Sequence, residues 1–311
     1  MSSVFACMDV FLRDGLMYSI LALGFYISFS ILDFADLSVE GTVLLGGVSY
    51  SLLVCKGVNP WLAVIVAFVL GSLAGCVTGL LHVKLKIRPL LCGILVSTAL
   101  ISVNLVLAVV GNGGSFSGEG ALSTVSFSRS DPTVLRTFPA SLIPDKAGAF
   151  NLRELITFLA VALIFKWILD WYLKTKNGLL LRATGCNEQY VSMLARNPGR
   201  SKITGLAISN GYAAVAGALI ATSRANANQG MGIGMIVIGL ASVIIGLSLF
   251  GKLRFLKPTT MVILGSIVYQ ACLAIATYLG VPSAYNKIIM AVLFTVALVF
   301  SNFIKKGASK A

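Results

Sequence analysis

Acids and bases are sparse in this chain, and their spacing limits the chemistry available. Asp33, Asp36 and Glu40 gather where the first long apolar run ends, the last two in Phe34-Ala-Asp-Leu-Ser-Val-Glu-Gly41. Asp36 is placed to cap a following helix, and Glu40 would lie in the favourable field at its N-terminus. Proton transfer is the other chemistry open to these carboxylates. Lys166 and Asp170 stand four apart inside an apolar run, the spacing of an internal ion pair with a snorkelling lysine. Tyr50, His82 and Asn104 are isolated polar groups suited to structural hydrogen bonds. Cys7, Cys55, Cys76, Cys92, Cys186 and Cys272 are scattered without CxxC spacing beside a single histidine, which supports neither a disulfide framework nor a zinc site. No GxxxxGK[ST] phosphate loop occurs, so any ATP must be hydrolysed by another polypeptide. No catalytic residue and no metal ligand is nominated, and no cofactor is expected in this chain.

These residues must be positioned by elements that cross a membrane. Of 311 residues, 57% are hydrophobic and 11% charged, against about 25% charged in a soluble domain, which excludes a soluble enzyme. The apolar residues recur in blocks of about 20, long enough to cross the bilayer as helices, not in the shorter alternating segments of a barrel. The fold class is therefore an all-α polytopic membrane protein of about nine segments, near 16–32, 38–54, 60–81, 89–110, 154–173, 204–223, 231–250, 258–279 and 285–304. The net charge of +13 calls for no nucleic acid, because cytoplasmic loops collect Lys and Arg. With the C-terminus inside, the loops at 82–88, 174–203 and 251–257 and the tail at 305–311 hold 15 of the 24 basic residues and outside segments hold 8. That bias predicts an external N-terminus and a cytoplasmic C-terminus.

Residues 1–15, with Asp9, Arg13 and Asp14 among helically spaced apolar positions, read as an N-terminal interfacial helix, not a signal peptide. The first repeat of membrane segments covers 16–110, an external loop 111–153, a linking span 154–173, a cytoplasmic loop 174–203, a second repeat 204–304 and a cytoplasmic tail 305–311. The two repeats share an order: a long span, a shorter glycine-containing segment and two further spans. One intervening span makes the second copy inverted, an architecture of transporters with a pathway at the repeat interface. Both short segments look like broken or re-entrant helices. One follows Asp36, Ser38, Glu40 and Gly41; the other follows Gly230, Gly232 and Gly234. Those seven residues are the candidate pathway or broken-helix positions, since irregular backbone at membrane depth must be buried in protein or line a cavity. Two ordinary short spans are the alternative. Gly71, Gly75 and Gly79, and Ser209, Ala213, Gly217 and Ala221, form small-residue stripes that let helices approach closely.

The glycine- and serine-rich loop 111–153 is a docking surface or a plain linker. Loop 174–203 carries six basic residues and a short helical candidate over 187–196, with Val191, Leu194 and Ala195 on one face and Asn197-Pro198-Gly199 as its stop. A secondary transporter, a channel, a scaffold and the membrane subunit of an ATP-driven importer are the functions to weigh. Few buried charges disfavour ion coupling, and no filter or charged ring marks a channel.

Leu181-Arg-Ala-Thr-Gly-Cys-Asn-Glu188, Gly205-Leu-Ala-Ile-Ser-Asn-Gly211, Ala216-Gly-Ala-Leu219, the run Met231 to Gly246 and Phe34 to Gly41 together resemble bacterial ABC importer permeases of the branched-chain amino acid and ribose type. The match is nearest to the subgroup associated with tryptophan and tyrosine uptake. The resemblance implies a membrane permease of the cytoplasmic membrane, a homodimer around a pathway for a small organic solute such as an aromatic amino acid. It also implies cytoplasmic ATPases that hold the ATP and Mg, and an external substrate-binding lipoprotein. By motif match, 187–196 is the coupling helix that fits a groove on the ATPase through Asn187, Glu188, Val191, Leu194, Ala195 and Arg196. Cys186 and Tyr190 depart from the polar character expected of that loop.

Overall fold

The computed structural model describes residues 2–111, 124–127, 131–138, 140, 151–193, 195–251, 253, 255–278 and 285–308. Helix α1 (Ser2–Phe25) continues as a π-helical turn, Tyr26–Ile31, and is followed by α2 (Val39–Cys55), α3 (Pro60–Leu85) and α4 (Pro89–Gly111). Strand β1 (Thr124–Ser126) precedes α5 (Leu152–Lys174), α6 (Lys176–Cys186), α7 (Glu188–Met193) and α8 (Pro198–Arg224). Strand β2 (Asn226–Asn228) and a 3-10 turn, Gln229–Gly232, lead to α9 (Met235–Phe250), α10 (Pro258–Tyr278) and α11 (Asn286–Ala308). Six described helices are long and apolar enough to cross a membrane: Cys7–Ile31, Pro60–Leu85, Pro89–Gly111, Pro198–Arg224, Gln229–Phe250 and Pro258–Tyr278. The predicted nine exceed that set. Helix α2 has 17 residues, about 26 Å at 1.5 Å each, short of a hydrocarbon core of about 30 Å. Helix α5 carries Arg153, Glu154, Lys166 and Asp170, and the apolar part of α11 is confined to Ile288–Val299.

The chain divides into two compact units that do not coincide with the two sequence repeats. One comprises residues 1–26, 142–170 and 236–311, the other 27–141 and 171–235. Each unit therefore combines a long helix from one half of the sequence with the shorter helix and following spans of the other half. The apolar faces of α1 and α8 are buried by elements far away in the chain, 251 residues for Gly15 and Ser266 and 174 for Asp36 and Asn210, which is how a membrane helix satisfies close packing once small residues permit it.

In the first unit α1 lies against α10. A side chain at Gly15 would meet Ile267 Cα at 2.8 Å, and Ser266 Oγ donates to Gly15 O at 2.8 Å. The stretch 1–15, expected as an interfacial helix leading into the first span, is part of α1, which runs unbroken to Phe25. The polar residues that suggested an interface have partners instead. Arg13 Nη1 donates to Glu154 Oε2 at 3.0 Å, and Asn151 Nδ2 donates to the buried Asp9 Oδ2 at 2.9 Å. The Lys166–Asp170 pair forms at 3.4 Å; Thr259 Oγ1 also donates to Asp170 Oδ1 at 2.6 Å, and Lys257 approaches Oδ2 at 3.4 Å.

In the second unit α8 is the central helix, buried on every face from Ser209 to Thr222. The Gly71, Gly75 and Gly79 stripe of α3 lies on it antiparallel, against Asn210 and Ala214, Leu206, and Ile203 respectively. Gly217 abuts Val43 O and Gly46 abuts Ala214 O, and the order of the pairs Thr42–Asn210 and Gly47–Gly217 shows that α2 runs parallel to α8 at backbone contact. Ser209, Ala213 and Ala221 are buried in the same packing. Part of the 111–153 loop is tied down beside α2. Strands β1 and β2 pair antiparallel with Val125 opposite Ala227, Tyr50 packs edge-on against Phe127, and Val134 N donates to Tyr50 Oη at 3.2 Å.

Candidate functional site

The first chain break is set by residues that cannot continue a helix. The π-helical turn ends at Ile31, Asp33 adopts a left-handed conformation with φ of 52°, and α2 begins only at Val39. Asp36 was expected to cap α2. Ser38 occupies the N-cap position without a side-chain cap bond, and Asp36 Oδ1 accepts from Ser38 N at 2.9 Å, an Asx turn that ends one residue too early to cap. The carboxylate is drawn off by Asn210, whose Nδ2 donates to Asp36 Oδ2 at 2.7 Å.

This contact belongs to a closed polar network. Ser38 Oγ donates to Asp36 Oδ1 at 2.6 Å, Thr42 Oγ1 donates to Asn210 Oδ1 at 2.8 Å, Asn210 Nδ2 also reaches Leu206 O at 3.1 Å, and Thr78 Oγ1 lies 3.3 Å from Ser38 Oγ. Asp36, Ser38, Thr42, Thr78 and Asn210 are all buried. Asn210 thus presents its amide nitrogen to the carboxylate and its oxygen to hydroxyls, and Asp36 accepts from both the Ser38 backbone and the Asn210 amide. Asn210 lies twelve residues into α8, about 18 Å from its start. The N-terminus of α2 therefore packs well along α8, with its irregular backbone buried in protein.

The second break descends alongside α2. Met231 covers Gly47, Gly232 abuts Glu40 O, and Gly234, at φ of 88°, donates its N–H to Glu40 Oε1 at 2.9 Å. Asn104 Nδ2 donates to Gly41 O at 3.0 Å, while its Oδ1 is buried without a partner beside a small recess lined by Leu44, Val48, Leu105 and Gln229. Of the seven positions nominated for the pathway or the breaks, Asp36, Ser38, Gly41 and Gly232 are buried inside this chain, Glu40 and Gly234 are half-buried, and Gly230 is exposed.

The 174–203 stretch is more helical than its sequence suggested. Helix α6 fills its first part, α8 begins at Pro198, and the expected helix over 187–196 is shorter, spanning Glu188–Met193. Asn187 is its cap, accepting from Tyr190 N at 3.0 Å, and Ala195 ends it in a left-handed conformation at φ of 54°. Val191 was expected to face a partner groove; it is fully buried in this chain, whereas Tyr190 is 57% and Met193 81% exposed. The reason is register: α7 lies on α6 and α8, and Val191 is the residue directed at them. Asn187, Glu188, Ala195 and Arg196 are exposed, and Leu194 lies outside the described residues.

Sequence reasoning passed over Asn210 and Lys202. The available signal for Asn210 was an amide in the middle of a span, a position where a polar group needs a dedicated partner. Lys202 was counted only as loop charge, yet its Nζ donates to Glu188 Oε2 at 2.7 Å.

A family profile described as "Branched-chain amino acid transport system / permease component" matches residues 7–298. The chain is 37% identical over 291 residues to the tyrosine transport system permease protein of Clostridioides difficile, covering 94% of this chain and 90% of that protein. It is 26% identical to the fructose import permease protein of Bifidobacterium longum (77% and 62% covered) and 22% identical to the ribose import permease protein of Haemophilus influenzae (86% and 77%). No solved structure matches the chain.

Proposed function

The chain belongs to the branched-chain amino acid transport system permease family, and from that premise we propose that it forms, as a homodimer, the pathway by which an ATP-driven importer takes up an amino acid, an aromatic one first among candidates. The family is one of permease subunits of ABC import systems, transport proteins rather than enzymes, multi-pass in the inner membrane. ATP and Mg belong to a separate ATPase, and cargo is delivered by an external substrate-binding lipoprotein.

The observation that carries the mechanism is α7. A six-residue helix fixed from below by Val191 and presenting Tyr190 and Met193 outward is built to enter a groove on a soluble partner: its buried side makes it rigid, and its exposed apolar side is left uncovered by the described residues. We read α7 as the coupling helix, with Asn187 and Glu188 at its start and Leu194, Ala195 and Arg196 at its end. In the same reading, 16–110 and 204–304 are inverted repeats, the N-terminus is external, and the 174–203 stretch is cytoplasmic. Substrate class rests on the 37% identity to a tyrosine permease and on the scarcity of buried charge that could hold an ionic cargo.

Two measurements test this. Titration of the cognate binding protein against amino acids, nucleosides and sugars decides the cargo, and tight binding of a sugar alone rejects an amino acid. Met193→Glu and Ala195→Glu subunits should insert normally yet lose the ATPase on copurification, because the introduced charge would be desolvated in the groove. Normal ATPase recovery with both variants removes α7 from the interface.

A further inference from the structure

We propose that Lys202 is a positioning residue that ties α7 to the chain break before α2, so that movement of α7 is transmitted to residues 32–38. The inference rests on the reading of α7 as the ATPase contact. Lys202 stands in the first turns of α8, and its side chain is only 17% exposed. Its ammonium binds Glu188, the first residue of α7, at 2.7 Å, and on the other side lies 3.5 Å from His82 Nε2.

The orientation of His82 follows from its second contact. Nδ1 is 2.8 Å from Ile87 O; a carbonyl only accepts, so Nδ1 carries a hydrogen, and Nε2 is the atom turned toward Lys202. The same imidazole packs edge-on against Phe34, with ring centroids 5.2 Å apart. Phe34 is buried, and its N–H donates to Ser28 O at 2.8 Å across the π-helical turn. Two residues later comes Asp36, anchored on Asn210. An unbroken set of contacts thus runs from Glu188 through Lys202 and His82 to Phe34 and the break.

A second contact restrains the other side. Gly185, at the end of α6, lies on Ile31 O, where any side chain would collide, and Gly205 lies against Leu32 and Leu181. The segment carrying α7 is pressed on the end of the π-helical turn while Lys202 holds it laterally. The charge-assisted hydrogen bond of a mostly buried lysine holds α7 to α8 against both approach and withdrawal, and the His82–Phe34 ring contact carries the movement on to the break. Lys202 is the only basic side chain paired with Glu188 among the described residues.

The test uses the full importer, permease with its ATPase, in lipid nanodiscs and a cysteine-free background. A nitroxide is placed at Gln189 on α7 or at Ala35 in the break, both exposed positions, and the probe is ATP with orthovanadate. Both labels should respond in the otherwise unchanged chain. With Lys202→Met, the Gln189 label should keep its response while the Ala35 response falls about five-fold; Lys202→Arg should retain both. Glu188→Gln, a change at an exposed carboxylate, should repeat the loss at Ala35, which guards against misfolding of the lysine variant. An undiminished Ala35 response in Lys202→Met and Glu188→Gln overturns the proposal and leaves the α7 reading standing. A Gln189 label that is silent in the unchanged chain overturns both.

Discussion

In each compact unit a long helix from one half of the sequence lies on a helix from the other, and the two contacts are made differently. Where α8 meets α3, the glycines are on the supporting helix, and the long helix contributes Asn210, which then bonds to Asp36, Ser38 and Thr42. Where α1 meets α10, the glycine is on the long helix, Ile267 packs onto it, and the Ser266 hydroxyl bonds to its backbone. The ionic contacts of that unit, around Asp170 and Arg13, include groups with substantial exposure, such as Lys257 at 60%. The difference teaches where specificity is stored. A glycine contact fixes distance, whereas a closed network of buried donors and acceptors fixes both register and the conformation of an irregular segment, because each lost partner leaves a desolvated group.

The largest expected contrast is between Asn210→Leu and Ser266→Ala. The first removes a donor from the buried Asp36 and an acceptor from two hydroxyls and should cost about 3 kcal/mol or more, enough to deplete folded subunit from the membrane. The second loses one neutral hydrogen bond and should cost about 1 kcal/mol. Unfolding in matched detergent, followed by tryptophan fluorescence, ranks them; equal costs would erase the contrast. Exchanging the partners in Asp36→Asn with Asn210→Asp should recover part of the loss that Asn210→Asp alone produces.

The glycine contacts come next. Gly75→Ala would drive a methyl into the carbonyl of Leu206 and Gly15→Ala one onto Ile267 Cα, and each should cost about 1 to 3 kcal/mol by overpacking, with Gly75 the larger. The same unfolding assay reads both, and a neutral Gly75→Ala would mean that α3 and α8 part easily.

Smaller effects should appear at the rims. Lys257→Ala removes an exposed member of the Asp170 group and should change stability by less than about 0.5 kcal/mol, fading further in high salt. Ala195→Gly relieves a left-handed alanine at the end of α7 and should stabilise by about 0.5 to 1 kcal/mol, with ATPase recovery unchanged. A destabilised Ala195→Gly would show that the methyl itself is packed.

The helices were legible because a membrane leaves the backbone few options: apolar blocks of about 20 residues read as spanning helices, and α3, α4, α9 and α10 lie close to where the blocks were. The two breaks were legible too, from Asp36-Leu-Ser38 and from Gly230, Gly232 and Gly234. Their contents were not. Asp36 was assigned to a cap because local spacing sees only the next turn, while its partner Asn210 is 174 residues away. Val191 was assigned outward because helical periodicity identifies an apolar face without saying whether the chain itself or a partner covers it.

The amino-acid sequence by itself determined the class of protein, the character of its apolar blocks, the small-residue stripes and the family. Those properties follow from composition and from intervals of a few residues, which local geometry translates directly into helices and faces. Only the tertiary structure decided which halves exchange helices, that Asp36 bonds Asn210, that Val191 turns inward, and that Lys202 joins Glu188 to His82. Each of those depends on the packing of segments far apart in the chain, where the need to satisfy every buried polar group selects one partner from many of the right type.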